Sequence, residues 1–306
     1  FGWFAGMKSS AYITAVILER ARRTGSLLDE GQVEKAVRYL DGRQFAEDYD
    51  WGRLSLGQYL NVRTMYTEVP FDIVLDKQKM AQFRTEVKEW LKPADDGDGR
   101  HDILARARRI AVKMNLAGPG AGSLLKTWKL GSARSLLLSA GKELDVLEGY
   151  AVKHPSGGYY FPNAVMPFRG LLESELYAHV MLCRIFETAA GNPALKYDAG
   201  RAVAIADGLR VWMMVQKETQ RWDSEPAYID AVLCVLGGSD KVLDTKVLTL
   251  TKRYQKPFRD INASGNGFRI SRRYYKVAPD GKLPSGGYRE QDALKEGDVP
   301  VSYTHL

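Results

Sequence analysis

Apolar residues recur every three to four positions along most of residues 9–236, the spacing of one face of an α-helix. The clearest case is the stretch DEGQVEKAVRYLDG (29–42), which predicts a helix that begins after Asp29. Asp29 has the short acceptor side chain of an N-cap, and Gly42 stands where the first residue beyond the helix is expected. The predicted apolar face consists of Val33, Ala36, Val37 and Leu40.

The same periodicity predicts further helices, separated by short breaks that carry glycine or proline. The helix predicted at 171–190 is apolar on nearly every side, so it packs against more than one neighbour in a layered helical body. The remaining predicted helices span 9–23, 56–68, 77–91, 102–115, 133–152, 199–218 and 225–236.

After about residue 240 the pattern changes to short runs rich in β-branched and aromatic residues. KVLTLTKRY (246–254) and GFRISRRYYKV (267–277) are two such runs, and the turn-forming stretch DINASGNG separates them. We therefore expect two domains, a helical one at 1–240 and a smaller, truncated β region at 241–306.

Two distant stretches of the helical part repeat one another, AYITAVI (11–17) and AYIDAVL (227–233), and a loop with a tryptophan precedes each. A third, looser version lies within 157–182. Helix pairs that cannot bury their own apolar faces must stack on their neighbours, in an open superhelix or a closed ring. The irregular spacing favours the ring, so the predicted fold is mainly α: an α/α toroid of the terpenoid cyclase and prenyltransferase kind.

The chain has 306 residues and a net charge of +7, but its basic residues are dispersed. Local basic clusters, such as those at 20–23 and 106–113, are predicted to form the exposed sides of amphipathic helices, and no nucleic acid partner is expected. No apolar run is long enough for a membrane helix. Because the chain starts at Phe1 without a leader pattern, we expect a fragment or a processed protein.

The two cysteines, Cys183 and Cys234, both lie inside apolar helical patterns. Free cysteine behaves as a small hydrophobic residue, so both are predicted to be buried thiols. Two cysteines in a chain of this length do not indicate a disulfide framework.

Glu175, His179 and Cys183 are the strongest metal-ligand candidates, because a spacing of four places them on one helical face. Zinc accepts all three ligand types, but they span about 12 Å along a helix, so one ion could take at most two of them. A core histidine with a hydrogen-bond partner is the favoured interpretation, and no metal or cofactor is expected.

Other motifs for catalysis are weak. The acidic stretches EDYDW and ADDGDG lie in or beside glycine-containing loops and are predicted to be solvated turns. The glycine-rich GPGAGS lacks the preceding strand and the following lysine of a phosphate-binding loop. No residue pattern combines a nucleophile with a base, so no catalytic residue is predicted.

Three stretches resemble the C-terminal part of bacterial alpha-2-macroglobulin-like proteins. They are GWFAGMKSSAYITAVILERA, GGYYFPNAVMPFRGLLESELYAHVMLCRIFETAA and above all WMMVQKETQRWDSEPAYIDAVLCVL. Downstream, RYQKPFRDINASGNGFRISRRYYKV and the turn LKEGD resemble the strand that leaves the toroid and enters that family's β-sandwich.

The resemblance implies a thioester-type toroid domain, followed by the remainder of a CUB-like insertion and the start of a receptor-binding-like sandwich. The family inhibits proteases in the cell envelope or outside the cell: a bait segment is cut, the molecule changes shape and the protease is enclosed. Implied partners are target proteases and other macroglobulin domains. The family's Cys-x-Glu-Gln thioester motif does not occur here, since neither cysteine is followed by Glu-Gln.

By the same resemblance, a set of residues is expected to line the ring or support the pocket beside a thioester, without a catalytic role. A different class remains open: an α/α-toroid enzyme of terpene-cyclase or prenyltransferase type, or a plain protein-binding helical repeat. The β region favours the macroglobulin alternative. The expected ring or pocket residues are Trp3, Tyr12, Thr219, Gln220, Trp222 and Tyr228, with Phe4 and Trp212 as further core aromatics.

Overall fold

The chain divides into two units, Phe1–Val247 and Leu248–Leu306. A computed structural model describes residues 1–4, 6–24, 28–46, 53–93, 102–155, 157–165, 171–219, 230–232 and 234–235, with backbone alone at 217–219. The second unit lies outside the described residues, and so do the strands predicted after residue 240. The described part is mainly α-helical, as predicted.

The described helices and strands are numbered in chain order. Residues 230–232 and 234–235 are also helical and are called the Asp230 segment. The elements are α1 (Ala11–Thr24), α2 (Glu30–Gln44), α3 (Leu56–Arg63) with a 3₁₀ turn (Thr64–Tyr66), α4 (Lys77–Trp90), α5 (Ile103–Leu116), α6 (Gly122–Thr127), α7 (Ala133–Glu148), β1 (Val152–Lys153), β2 (Tyr159–Tyr160), α8 (Glu175–Ala190) with a 3₁₀ turn (Pro193–Leu195), and α9 (Ala199–Thr219).

Helix α2 shows how local sequence sets the boundaries. The Asp29 side chain accepts a hydrogen bond from the backbone N–H of Gln32, and the Gln32 side chain accepts one from the N–H of Asp29. This capping box confirms the predicted helix start. The predicted end is wrong: Gly42 lies inside the helix, which continues to Gln44 and is capped by Phe45.

Other differences from the predictions occur where helices end or where glycine is frequent. Helix α7 ends at Glu148 rather than at residue 152, because the chain turns there into a short antiparallel hairpin of β1 and β2. Helix α8 begins at Glu175, where Ser174 caps it, rather than at residue 171. Helix α6 lies partly within GPGAGS, a stretch that was predicted to be a break.

The helices pack in a definite order. Helix α1 packs against α3, α3 against α5, and α5 against α8. A second set lies beside these: α2 on α1 and α3, α7 on α5, and α9 on α8. The Asp230 segment reaches back to α1 through an ion pair between Arg20 and Asp230, whose nitrogen and oxygen atoms are 2.9 Å apart.

Glycine permits the closest approach between two of these elements. A methyl group added to Gly141, in the middle of α7, would stand 1.9 Å from the carbonyl oxygen of Leu195. This distance is far below van der Waals contact, so α7 and the turn at Pro193–Leu195 can pack this closely only around glycine.

The basic clusters predicted to be solvated are largely buried, which corrects the sequence interpretation. In α5, Lys113 is 1% exposed and bonds to Glu143 and to the Ser139 hydroxyl. In the same helix Arg109 donates from Nε to the carbonyl oxygen of Trp90 over 2.8 Å. These side chains are buried because carboxylates and carbonyl oxygens of neighbouring elements replace their hydration. Within the described residues, no helix is both long and apolar enough to cross a bilayer.

Candidate functional site

Five ionisable side chains from α1, α8 and the Asp230 segment lie next to one another in the interior of the helical body. We call Glu19, Arg20, Arg23, Tyr177 and Asp230 the central cluster. Tyr177 on α8 donates its hydroxyl to both carboxylate oxygens of Glu19 on α1, over 2.8 and 2.9 Å. Arg23 bonds to Glu19 and lies 3.6 Å from Asp230, and Arg20 pairs with Asp230. The cluster therefore joins α1, α8 and the Asp230 segment.

Helical spacing explains how α1 supplies its share of the cluster. Glu19 and Arg23 are four residues apart, so they lie one turn apart on the same face. Tyr12 lies seven residues before Glu19 on that face, and its hydroxyl accepts a hydrogen bond from the backbone N–H of Leu172 over 3.1 Å. Tyr12 thus anchors the segment that leads into α8.

The central cluster is almost completely dehydrated. Glu19 is 1% exposed and Asp230 is fully buried. Burial raises the pKa of Asp230, although Arg23 and Arg20 oppose the shift. Burial and the Glu19 carboxylate also raise the pKa of Tyr177, so its phenol keeps its proton at neutral pH. Two arginines face two carboxylates, and their ion pairs connect α1 with the Asp230 segment.

The metal-ligand candidates are engaged in structural hydrogen bonds. His179 is fully buried: its Nδ1 donates to the carbonyl oxygen of Glu175 over 2.8 Å, and its Nε2 accepts from the N–H of Phe161 over 3.1 Å. With both ring nitrogens bonded in this way, the imidazole has no lone pair free for a metal. The Cys183 thiol donates to the carbonyl oxygen of Ala206 over 3.4 Å. The described residues contain no group of three metal-ligating side chains.

Burial gives His179 its protonation state. Removal from water lowers its pKa from 6.5 to about 4, although the Glu175 carbonyl opposes the shift. The neutral ring stacks on Trp212, with ring centroids 4.0 Å apart, and Trp212 in turn stacks on Tyr160 of the hairpin. His179 therefore ties α8 to α9 and to the chain near β2.

The aromatic residues expected to line the ring have different positions. Trp212 is buried, but Trp3 is 55% exposed and Phe4 is 76% exposed, so these two do not fill the interior. Both precede α1 in a non-helical segment, where helical periodicity does not determine which way a side chain faces. Thr219 ends α9, and its side chain is not described. Gln220, Trp222 and Tyr228 lie outside the described residues.

A cleft of about 650 Å³ lies between the end of α1, the start of α2 and the turn after α3. Leu28, Val33 and Val69 are among its apolar lining residues, and Arg22 pairs with Glu68 in its wall over 3.0 Å. Ligand sites of this volume usually combine an apolar lining with a few fixed polar groups. Here the Arg22 and Glu68 side chains are about half exposed, so they give a ligand little fixed orientation.

The sequence contained one signal of the central cluster that the periodicity analysis missed. Asp230 occupies, in AYIDAVL, the position of Thr14 in AYITAVI, so a carboxylate stands on an otherwise apolar helical face. An acidic residue there requires a buried cation. Arg20 and Arg23 supply that charge, although they had been predicted to face solvent.

Comparison of the chain with models of known protein families, with curated proteins and with solved structures found no match.

Proposed function

We propose that the helical body is a closed α/α toroid that acts as the non-catalytic, thioester-type scaffold of a macroglobulin-like protease trap. In this proposal α1, α3, α5, α8 and the Asp230 segment form the inner ring, and α2, α7 and α9 belong to the outer layer. Residues 241–306 form the CUB-like remainder and the start of a β-sandwich, and the protein acts in the cell envelope.

The observation that carries the proposal is the buried contact between the first and last described helices. Asp230 pairs with Arg20, 210 positions earlier in the chain. In an open superhelix each repeat contacts only its neighbours, so the first and last helices do not meet. A contact of this kind supports a closed ring.

A scaffold role is also supported by the state of the reactive groups. Cys183 and Cys234 are buried free thiols, and neither is followed by the Glu-Gln that an internal thioester needs. Burial keeps His179 neutral, and both of its ring nitrogens are engaged in hydrogen bonds. This chain would therefore contribute shape and docking surfaces to the trap, and the cleavage that triggers it would occur in a bait segment elsewhere.

The exposed apolar residues before α1 support docking on a neighbouring domain. Trp3, Phe4 and Met7 are each at least half exposed and lie within five positions of one another. Large apolar residues grouped at a surface are typical of interaction sites. In the proposed trap, this surface packs on another macroglobulin domain.

The proposal is tested with the polypeptide as its gene encodes it, mixed with trypsin in slight molar deficit. A steric trap leaves trypsin active on a small chromogenic peptide but abolishes its activity on casein. Equal loss or equal retention of both activities would contradict the proposal, and turnover of an isoprenoid diphosphate would favour a toroid enzyme.

Two variants connect this result to the ring. Asp230→Asn removes the carboxylate that joins the first and last helices and is expected to weaken the protection of casein from trypsin. Glu68→Gln removes the exposed ion pair that Glu68 forms with Arg22 of helix α1. This variant should protect casein from trypsin as well as the unchanged protein does.

A further inference from the structure

Cys183 and Cys234 come together from distant parts of the chain. Cys183 lies in the middle of α8, Cys234 lies in the Asp230 segment, and both are buried free thiols, 0% and 3% exposed. Each thiol is the largest influence on the pKa of the other, which is raised at Cys183 and lowered at Cys234.

Helix α9 provides an independent indication that the two residues are adjacent. The Cys183 thiol contacts the carbonyl oxygen of Ala206 over 3.4 Å, and Arg210 donates from Nε to the carbonyl oxygen of Cys234 over 2.8 Å. Ala206 and Arg210 are four residues apart, so they lie one turn apart on one face of α9. Both cysteines therefore pack against neighbouring turns of the same helix face.

The surroundings favour reaction of Cys234. Its interaction with the Cys183 thiol lowers its pKa, and the Arg210 guanidinium acts in the same direction against the effect of burial. The thiolate is the form of cysteine that attacks a disulfide, and a neighbouring cation stabilises it.

We infer that Cys183 and Cys234 form a redox-active pair whose disulfide fastens the Asp230 segment to α8. The oxidant is a small or protein disulfide, such as glutathione disulfide. The Cys234 thiolate attacks one of its sulfur atoms and releases one glutathione thiolate, which takes up the proton that Cys234 lost. Cys183 then gives up its proton and attacks the Cys234 sulfur, and the second glutathione leaves as a thiolate that takes up this proton, so two protein thiols are oxidised and one glutathione disulfide is reduced to two glutathione thiols.

The position of the bond determines its effect. Ion pairs of Arg20 and Arg23 with Asp230 connect the Asp230 segment to α1, and the disulfide would add a covalent link from the same segment to α8. It closes a loop of about fifty residues, and a cross-link of that length raises the midpoint of thermal unfolding by about 10 °C in a domain of this size. The inference needs only the packing of α8, α9 and the Asp230 segment, so it stands or falls separately from the protease trap.

Burial also controls access to the pair. Since neither thiol is exposed, an oxidant reaches the thiols when the Asp230 segment moves away from α8. Oxidation of the folded chain is then limited by this opening, and Asp230→Asn, which weakens the hold of α1 on the segment, should accelerate it. An unchanged rate in Asp230→Asn would overturn this access route.

The test treats the purified, reduced chain with glutathione disulfide and then blocks remaining thiols with N-ethylmaleimide. We expect an intact mass lower by two hydrogen atoms, no maleimide or glutathione adduct, and a non-reduced digest in which the peptides of Cys183 and Cys234 are linked. The thermal midpoint should rise by about 10 °C and return to its original value with dithiothreitol.

Cys183→Ser and Cys234→Ser are the matched controls. Each keeps a side chain of similar size, and neither should gain thermal stability on oxidation; the dithiothreitol-treated wild-type chain serves as a second reference. If the unchanged chain, oxidised in enough urea to open the Asp230 segment, still carries two maleimide groups or two glutathione adducts, the inference is wrong.

Discussion

His179 shows how the surroundings of a single residue decide its chemistry. In the sequence it is a candidate ligand, spaced by four from Glu175 and Cys183. In the fold, Glu175 and Phe161 supply a backbone acceptor and a backbone donor to its two ring nitrogens, and Trp212 covers the ring. A residue suited to metal binding thereby becomes a neutral structural element.

This environment predicts a loss of stability on acidification. The unfolded chain protonates His179 near pH 6.5, whereas the folded chain does so near pH 4 because burial lowers the pKa. The contribution of His179 to the free energy of unfolding is therefore fully present above pH 6.5 and is lost as the pH drops toward 4, by about 3 kcal/mol, while Asp41, whose pKa is raised to about 6, acts in the opposite direction. Urea unfolding at several pH values across this range measures the loss. In His179→Gln, the free energy of unfolding should depend less steeply on pH. An unaltered slope in that variant would assign the effect to other groups.

Arg63 offers a second prediction at this scale. It is fully buried, and its Nε contacts both oxygens of Asp41 while its two terminal nitrogens donate to the carbonyl oxygens of Tyr66 and Val69 over 2.8 Å each. Arg63→Met leaves the Asp41 carboxylate buried without its cation and should lower the free energy of unfolding by about 3–5 kcal/mol.

The matched control is Arg38→Met in the neighbouring helix α2. Arg38 also pairs with two carboxylates, Glu34 and Asp72, but its side chain is 42% exposed. Water replaces these partners easily, so chemical denaturation should detect little change. If Arg63→Met and Arg38→Met lowered the free energy of unfolding by similar amounts, burial would not be the reason that the Arg63 contacts are strong.

At the scale of elements, two helical glycines predict opposite effects of the same substitution. Gly141→Ala in α7 would place a methyl group against the Leu195 carbonyl and should cost at least about 2 kcal/mol of stability. Gly42→Ala in α2 meets no atom within 4 Å and should stabilise by about 0.5–1 kcal/mol, because alanine favours the helix. Thermal unfolding of both variants compares them; destabilisation by Gly42→Ala would mean that α2 ends earlier than Gln44.

The elements differ in how far the sequence predicts them. Periodicity located the long helices because apolar positions recur at helical spacing, and Asp29 marked a helix start because its side chain accepts a hydrogen bond from the backbone N–H of Gln32, three residues later. Helix α6 was missed because its six residues are fewer than two helical turns and include a glycine. The hairpin of β1 and β2 has two residues in each strand, too few to show alternation.

At the scale of the whole molecule, the central cluster predicts that α1 and the Asp230 segment, the first and last of the described helices, open together. Asp230→Asn weakens the pairing with Arg20 and Arg23, so backbone amides of α1 and of the Asp230 segment should exchange with deuterium faster. Helix α7, which packs on α5 and contributes no residue to the cluster, should keep its protection. Glu68→Gln, which breaks an exposed pair with Arg22 of α1, is the control and should leave exchange unchanged. Faster exchange restricted to one of the two elements would contradict their coupling.

The central cluster could not be predicted from local sequence, for a physical reason. Glu19, Arg20 and Arg23 of α1 are charged residues of the kind that usually cover an exposed helix surface. They are buried because their partners lie on α8 and on the Asp230 segment. Such partners are more than 150 positions away. Periodicity reports which side of a helix is apolar, and it carries no information about charges that neutralise one another across the fold.

The ion pair between Arg20 and Asp230 has a consequence for how the protein is made. A ribosome releases α1 long before it reaches Asp230, so the nascent chain must hold Arg20 without its buried partner while some two hundred further residues are added. Contacts between such distant residues slow folding and lengthen the time during which apolar surface is exposed. Completion of the helical body therefore waits until Asp230 has been made, and cellular chaperones have most of the helical body to protect until then.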